Sequence, residues 1–254
     1  MTIRVGVAGA LGRMGSVIAE ALAAASDLEL VAGFDLHRGE VAGIPVREDV
    51  ECLSSAQVVV DFTHPDVVMD NLARYRQMGC HTVVGTSGFT AERITAVRRM
   101  WPSDSPSNCL IVPNFSIGAV LMMRFAEAAA GFFEASEVIE LHHDRKADAP
   151  SGTAVSTAAA MAESGRQARA VESEELIDGA LGARVEGVPV HSVRLPGLLA
   201  HQEVLLGNPG EILTIRHDST DRVSFLPGVL LAVRGVAGLQ AGVTVGLGVL
   251  LESP

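Results

Sequence analysis

A short run of basic side chains between residues 140 and 153 carries the strongest candidate chemistry in this sequence. His142 and His143 are adjacent, and Arg145 and Lys146 follow them after a single acidic residue. Cations at this density attract a small anionic substrate, and a histidine can donate a proton near neutral pH. The run therefore predicts an active site, and the alternative is a solvated basic loop that binds nothing.

The elements around this run predict where it lies in the fold. The segment 137–141 is typical of a strand, and the Ala-rich stretch 153–165 is typical of a helix. Ser151 and Thr153 are the two candidates for the N-cap of that helix. Because the free N–H groups of a helix N-terminus attract anions, the basic run and the helix start together predict an anion site.

The composition predicts an α/β protein rather than a β-sandwich. Hydrophobic residues make up 48% of the 254-residue chain and aromatic residues only 4%, so small aliphatic side chains dominate. The formal net charge of −11 argues against nucleic acid or an anionic membrane as a partner. The three cysteines form neither a CxxC pair nor a disulfide framework, and the N-terminus lacks the pattern of a signal peptide. We therefore expect a cytoplasmic protein with reduced thiols.

A glycine-rich turn near the N-terminus predicts a dinucleotide-binding βαβ unit. It joins a buried strand at 3–9 to a helix at 16–25, and the next strand, 29–35, ends in an acid. In such a unit the glycines allow a tight turn, a close approach to the pyrophosphate and close packing of helix on strand. The spacing is G-x-x-G-x-x-G, and the alternative is a packed turn that binds nothing.

The acid at the end of that strand, Asp35, is placed to accept hydrogen bonds from the adenine-side ribose of the cofactor. The basic residues His37 and Arg38 follow it and could hold the 2′-phosphate of NADP. The sequence therefore predicts that either NADH or NADPH serves as the cofactor.

More strand ends are expected on the same rim of a doubly wound parallel sheet, where ligands bind. Strands are predicted at 57–62, 82–85 and 109–113, with helices at 66–78 and 91–100 between them. The small, polar, Gly-flanked end of the second strand suits the nicotinamide side of the cofactor. For His64, which follows the first strand, a loop or capping role is favoured over catalysis.

A smaller α+β domain is predicted at 115–217, and the dinucleotide-binding domain is expected to comprise 1–114 and 218–254. The smaller domain begins with a helix at 117–131 whose Met, Ala and Phe residues suit core packing. A polar stretch at 164–186 comes later, before the strands of an open, mostly antiparallel sheet.

Three of those strands are predicted at 190–195, 201–206 and 211–217, and the turns between them indicate an antiparallel meander. So small a sheet needs one face covered, either by a helix or by a partner subunit. His191, His201 and His217 are spread along these strands without the spacing of a metal site, so no metal is expected.

Taken together, these features resemble the dihydrodipicolinate reductase (4-hydroxy-tetrahydrodipicolinate reductase) family of the bacterial diaminopimelate–lysine pathway. The most specific part is 140–154, which resembles the family signature E-x-H-H-x-x-K-x-D-A-P-S-G-T-A at each fixed position. Supporting segments are 9–15, 84–86, 113–116 and 218–228. The resemblance covers nearly the whole chain.

The resemblance implies NAD(P)H-dependent reduction of a small cyclic dicarboxylate, with hydride from the nicotinamide and a proton from the enzyme. It implies that His142 is the proton donor, that His143 binds substrate, and that Lys146 binds substrate and has also a proton-donor role. The implied carboxylate seat is Ser151, Gly152 and Thr153. The implied cofactor contacts are Gly9, Ala10, Leu11, Gly12, Arg13, Met14, Asp35, Gly85, Thr86, Ser87, Pro113, Asn114, Phe115 and Ser116. A homotetramer joined through the sheets of the second domains is implied as well.

Two other functions fit parts of the sequence. One is another Rossmann-type oxidoreductase of amino-acid-derived acids, such as an aspartate- or diaminopentanoate-type dehydrogenase. The other is a non-catalytic dinucleotide-sensing module, which would keep the unit at 9–35 but has no use for His142 and Lys146. Turnover of the cyclic dicarboxylate would separate both from the reductase.

Overall fold

The computed structural model of the chain describes residues 2–164 and 173–251. The chain forms two compact units, the first comprising Met1–Phe115 with Phe225–Pro254 and the second Ser116–Ser224. The predicted end of the helix at 165 lies outside the described residues, as does part of the polar stretch predicted at 164–186.

The strands and helices within the described residues follow the predicted order closely. The strands are β1 (Ile3–Ala8), β2 (Leu28–Phe34), β3 (Gly39–Val41), β4 (Ile44–Arg47), β5 (Val58–Asp61), β6 (His81–Val84), β7 (Cys109–Ile111), β8 (Ala135–His142), β9 (Ala183–Val185), β10 (Val188–Arg194), β11 (Ala200–Asn208), β12 (Glu211–Ser219) and β13 (Val243–Val245). The helices are α1 (Gly15–Ala24), α2 (Val68–Gln77), α3 (Ala91–Met100), α4 (Ile117–Ala130), α5 (Gly152–Glu163) and α6 (Leu226–Gly235).

The first unit is built on an eight-stranded sheet with the order β13-β7-β6-β5-β1-β2-β4-β3. Its neighbouring strands are parallel except for β3 and β4, which form an antiparallel hairpin that the sequence did not predict. The strand order reverses between β1 and β5, and a doubly wound sheet binds its ligand at such a point. The predicted Rossmann-like fold class is confirmed.

Parallel strands covered by helices on both faces are apolar along their length, and β5 follows this rule. Its four residues, Val58–Asp61, are all buried. Leu72 and Tyr75 of α2 pack with this sheet in one buried cluster, together with Trp101 beyond α3. The only ionisable side chain in β5 is Asp61, at its carboxyl end, which is the end that faces the ligand rim.

The second unit is built on a five-stranded sheet with the order β12-β11-β8-β10-β9. The predicted meander is wrong, because β10 and β11 are separated by β8. The strand β10 runs parallel to β8, whereas β11 is antiparallel to both β8 and β12. The long connection through α5 carries the chain from β8 across to its parallel neighbour, as parallel pairs require. The sheet is still mostly antiparallel, as predicted.

Both helices of the second unit pack on one face of this sheet. Val138, Val190 and Val204 point to that face and form a buried cluster with Ala126 of α4 and Ala158 of α5. The predicted packing role of the first helix is therefore confirmed.

Because side chains alternate between the faces of a sheet, Ile139, Leu141, Leu205 and Ile212 lie on the opposite face, which we call the open face. Among these residues, Ile212 is 76% exposed.

The chain returns to the first unit after Ser224 and not after residue 217, because β12 stays paired with β11 through Ser219. The helix α6 and the strand β13 then complete the first unit, and β13 pairs with β7. In residues 2–164 and 173–251, no helix is both long and apolar enough to cross a membrane.

Candidate active site

The basic run lies where β8 ends, and its organising group is the carboxylate of Glu140. Residues two apart in a strand share a face, so Glu140 and His142 point the same way. The Glu140 side chain is fully buried, and its Oε2 lies 2.5 Å from Nδ1 of His142. Its Oε1 accepts a hydrogen bond of 3.1 Å from the backbone N–H of Ser151. One carboxylate therefore contacts both the candidate proton donor and the start of α5.

The positive partner of Glu140 is Arg194, the last residue of the parallel strand β10. Its two terminal nitrogens each donate to one carboxylate oxygen at 2.8 Å, in the bidentate geometry that gives the strongest ion pairs. The same guanidinium donates to the backbone carbonyl of Asp148 at 2.6 Å. Arg194 therefore fastens the loop 143–150 to the sheet, and the strand register sets it beside His142.

Lys146 lies in that loop and is the only lysine in the sequence, where all other permanently basic side chains are arginines. Its ammonium donates to Oδ1 of Asp148 at 2.7 Å, and this hydrogen bond lowers the pKa of the Asp148 carboxyl. Asp148 holds Lys146 within the loop by this ion pair. A lysine suits this position because its ammonium is a compact cation on a flexible stem.

The helix α5 begins directly after this loop, with Ser151 as its N-cap. The Ser151 hydroxyl accepts from the N–H of Ala154 at 3.2 Å, so Ser151 and not Thr153 is the cap. Ser151 is buried, whereas Gly152 is exposed and a Cβ at that position would meet no atom within 4 Å. The first turn therefore offers backbone N–H groups beside open space, which suits a carboxylate.

His143 is half-buried at the first position after β8. Its Nδ1 is buried and has no hydrogen-bond partner among the described residues. A buried polar atom without a partner is costly, so its presence beside a basic loop favours a ligand contact.

The environment of His142 acts on its pKa in both directions. Burial lowers the pKa of His142, and the positive charges of Lys146 and Arg194 lower it further, while Glu140 opposes them. Burial by itself would raise the pKa of Glu140, but hydrogen bonds from Arg194, Ser192 and His142 outweigh it and lower that pKa. Glu140 is therefore an anion near neutral pH, and burial favours the neutral form of the His142 ring.

The predicted glycine turn lies in the first unit, between β1 and α1. Gly9 has a positive φ of 78°, and a Cβ there would lie 2.5 Å from the Phe62 carbonyl oxygen. A Cβ on Gly15 would lie 1.9 Å from the carbonyl oxygen of Gly9, so helix and turn touch through backbone. The helix α1 has neither a side-chain cap nor an acid in its first turn, which leaves its N-terminus available to an anion.

Asp35 lies just beyond β2, opposite this turn. Its carboxylate accepts from the N–H of Leu11 at 2.8 Å and of Leu36 at 2.7 Å, so it is tied to the glycine turn. Arg38 is highly exposed and pairs with Glu48 at 2.9 Å. The turn residues Leu11, Gly12 and Arg13 are exposed, Met14 is half-buried and Ala10 is buried.

Asp61 supports the predicted ligand rim, and the sequence predicts no role for it. Its fully buried carboxylate accepts from the hydroxyls of Thr86 at 2.6 Å, Thr63 at 2.8 Å and Tyr75 at 2.8 Å. Its backbone carbonyl accepts from the N–H groups of Gly85 and Thr86. Asp61 therefore shapes the predicted nicotinamide-side segment 85–87, in which Ser87 is exposed. The signal for it was a single acid at the end of an otherwise apolar strand.

The remaining predicted cofactor residues, 113–116, follow β7. Phe115 is buried and its ring lies 5.4 Å from that of Phe62, so it supports the rim by packing. Ser116 begins the second unit as the N-cap of α4, and its hydroxyl lies 3.0 Å from Nε2 of His217. Pro113 is exposed and Asn114 is half-buried.

The predicted residues therefore fall into two groups. Those assigned to the cofactor belong to the first unit, apart from Ser116. Those assigned to catalysis and to substrate belong to the second unit, within β8, the loop 143–150 and the first turn of α5. The signature includes Glu140 but predicts no role for it, and no sequence pattern points to Arg194.

Comparison with known proteins identifies the family of the chain. Family models described as "Dihydrodipicolinate reductase, N-terminus" and "Dihydrodipicolinate reductase, C-terminus" match residues 3–115 and 118–251. Relatives named 4-hydroxy-tetrahydrodipicolinate reductase from Nocardia farcinica and Mycolicibacterium smegmatis are 56% and 54% identical, over 99% and 98% of this chain and 100% and 99% of theirs. The solved structure of a dipicolinate-bound dihydrodipicolinate reductase from Paenisporosarcina sp. TG-14 is 38% identical with a TM-score of 0.86, covering 97% of this chain and 98% of that one.

Proposed function

The chain belongs to the dihydrodipicolinate reductase family, and we propose that His142, Lys146 and the first turn of α5 carry out its reaction. It is an oxidoreductase that reduces 4-hydroxy-tetrahydrodipicolinate, a step of diaminopimelate and lysine biosynthesis. The observation that supports these residue roles is the hydrogen-bond network of Glu140, which joins the candidate proton donor to the helix start.

The cofactor in this proposal is a nicotinamide dinucleotide, which supplies the hydride when it is bound. The uncapped N-terminus of α1 and its glycine turn would hold the pyrophosphate, and Asp35 would accept hydrogen bonds from the ribose. The segments 85–87 and 113–116 would lie at the nicotinamide. Gly15 and Gly9 fit this role because a side chain on either would collide with backbone.

His142 supplies the proton that the reduced ring needs. Its Nδ1 is occupied by Glu140, so Nε2 is the nitrogen from which the proton leaves. Burial lowers the pKa of His142, which makes the protonated ring a stronger acid. The ammonium of Lys146, which here is paired with Asp148, is the alternative source of this proton.

The two carboxylates of the substrate need local cations in a chain of net charge −11. Lys146 would hold one carboxylate, and the N–H groups of Gly152 and Thr153 would hold it from the helix side. Ser151 acts as the cap that shapes this turn. His143, whose buried Nδ1 has no partner in the described part of the chain, would contact the substrate as well.

A coupled assay tests the function directly. The substrate is generated in place by the synthase that forms it, and oxidation of NADH and of NADPH is followed separately. Rapid oxidation that depends on the synthase supports the reductase. Cofactor oxidation only with other amino-acid-derived acids would support a related dehydrogenase, and binding of NADH without turnover would support a sensing module.

Replacement of Lys146 by Met should weaken binding of dipicolinate, the ligand named for the solved relative. The variant loses a charged hydrogen bond worth about 1.5–3 kcal/mol, and the carboxylate of Asp148 is left to repel the dianion. We therefore expect a rise in Kd of roughly 10- to 100-fold, measured by calorimetry in the presence of NADH.

The matched control for this experiment is Arg145→Met, which removes the exposed cation next to Lys146 in the same loop. Equal losses in both variants would mean that general attraction by the basic loop is responsible and not a defined contact of Lys146. An unchanged Kd in the Lys146 variant would remove Lys146 from the binding site.

We propose that both NADH and NADPH are used, because Asp35 and Arg38 favour different riboses. Replacement of Arg38 by Met should lower kcat/KM for NADPH by about tenfold, the size of one charged hydrogen bond to a phosphate, and leave kcat/KM for NADH unchanged. Steady-state kinetics with each cofactor measure the effect. A parallel loss with both cofactors would contradict a 2′-phosphate contact.

We also propose that the protein is a cytoplasmic homotetramer. The support for the tetramer is the open face, where Ile139, Leu141, Leu205 and Ile212 leave an apolar surface on the sheet of the second unit. Burial of such a face between copies of the chain is favourable. Light scattering after size-exclusion chromatography gives the number of subunits.

A further inference from the structure

Glu140 is an ionised group in the interior of the second unit. Its side chain has no exposed surface, and it receives hydrogen bonds from three elements: His142 in β8, Arg194 in β10 and Ser151 before α5. A buried ion pair contributes little net stability, because the loss of solvation offsets the attraction of the charges. Net stability by itself therefore does not account for this pair.

The geometry of the pair does act on His142. A carboxylate only accepts hydrogen bonds, so the Nδ1 that faces Oε2 of Glu140 carries a hydrogen. The ring then keeps its Nδ1 proton in both protonation states, and only Nε2 gains and loses a proton. The ring is also held in place, since Arg194 fixes both oxygens of Glu140.

We infer that Glu140 is a positioning residue for the proposed proton donor: locked by Arg194, it orients His142 so that Nε2 carries the transferable proton. The inference rests on the proposed role of His142 in the reduction. Because Glu140 also accepts from the N–H of Ser151, the same carboxylate sets the position of the proton donor relative to the carboxylate seat.

The elements that pack against His142 differ in the charges that they place near it. Glu140 lies on its own strand, Arg194 on β10, and Lys146 with Asp148 in the loop, while the residue paired with it on β11 is the uncharged Ala200. Glu140 raises the pKa of His142, and Lys146 and Arg194 lower it. Loss of Glu140 and loss of Arg194 should therefore shift the pKa of His142 in opposite directions.

The first test uses the unaltered protein and needs no turnover. In ¹⁵N-labelled protein, the long-range ¹H–¹⁵N spectrum of the His142 ring reports which nitrogen carries hydrogen above its pKa. We expect the Nδ1–H form for His142. An Nε2–H form in the neutral state would overturn the inference, whatever the activity of the enzyme.

The second test compares pH profiles of kcat/KM. A proton donor is active when protonated, so activity falls as pH rises through the pKa of His142. In Glu140→Gln this fall should move to lower pH and kcat should drop by roughly 100-fold, less than the ~10⁴-fold loss seen when the buried acid of a protease triad is neutralised. In Arg194→Met the fall should move to higher pH. Shifts in the same direction, or none, would contradict a role through His142.

The matched control is Glu137→Gln. Glu137 lies on the same strand but on the open face, where it pairs with His191 at 2.9 Å. Light scattering should first show that this variant has the same number of subunits as the unaltered protein. The pH profile of kcat/KM should then be the same as that of the unaltered protein. If Glu140→Gln does not fold, the ring spectrum of the unaltered protein still tests the inference, because it shows which nitrogen of His142 carries hydrogen. Absence of reductase activity in the unaltered protein would instead refute the proposed function.

Discussion

Replacement of His142 by Gln should lower kcat by about 10²- to 10⁴-fold, the range over which a positioned general acid contributes to a rate. Gln has a similar size and can still donate to Glu140, so the second unit should keep its fold. It has no proton to transfer near neutral pH. The affinity for NADH should stay unchanged, because the glycine turn and Asp35 belong to the other unit. Steady-state kinetics and fluorescence titration with NADH measure the two quantities.

The control for this variant is His191→Gln, which alters a histidine that also pairs with a glutamate but lies on β10 and the open face. It should retain nearly full activity. If His142→Gln turned over at the rate of the unaltered enzyme, His142 would have no part in the proton transfer, and Lys146 would be the remaining candidate.

Replacement of Gly15 by Ala should have the second large effect, on the dinucleotide site. The added Cβ would lie 1.9 Å from the carbonyl oxygen of Gly9 and 2.7 Å from its carbonyl carbon. Both are backbone atoms, so the helix α1 must shift away from β1 and take its free N–H groups with it. Overpacking of this kind costs about 1–3 kcal/mol or more, and we expect binding of NADH to be lost.

Thermal unfolding measures the loss of stability in the Gly15→Ala variant, and calorimetric titration measures its loss of affinity for NADH. Gly238→Ala is the matched control, because a Cβ on Gly238 in the same unit would meet nothing within 4 Å. Normal NADH affinity in the Gly15 variant would mean that the pyrophosphate does not lie at the start of α1. Loss of affinity in both variants would indicate general damage to the unit.

The local parts of the site could be predicted from the sequence because each depends on residues close together in the chain. The glycine turn, the strand end at His142 and the cap at Ser151 are set by backbone sterics, alternation and capping. The predicted fold class follows from the same signals, since alternating strands and helices indicate a parallel sheet.

The partners of these parts could not be predicted in the same way. Arg194 lies 54 positions after Glu140, and only the parallel register of β10 on β8 brings the two together. The strands 190–195 and 201–206 were predicted as neighbours because short turns usually join paired strands. Here β8 lies between them, because β10 pairs with one edge of β8 and β11 pairs with the other.

The role of Asp61 could not be predicted from the sequence for a different reason. The sequence shows its type and position, but its three hydroxyl donors are Thr63 in the loop after β5, Tyr75 in α2 and Thr86 after β6. A buried acid without a cationic partner can be recognised only when those donors are placed around it.

Because Lys146 is the only lysine in the sequence, it can be labelled selectively for NMR. Reductive methylation with ¹³C-formaldehyde acts on primary amines and keeps their positive charge, so it would mark Lys146 and the N-terminus alone. The methyl resonance of Lys146 would then report whether its ammonium stays on Asp148, 2.7 Å away here, or transfers to a ligand carboxylate. Binding of a ligand at Lys146 can thus be followed through one methyl resonance, without any substitution in the chain.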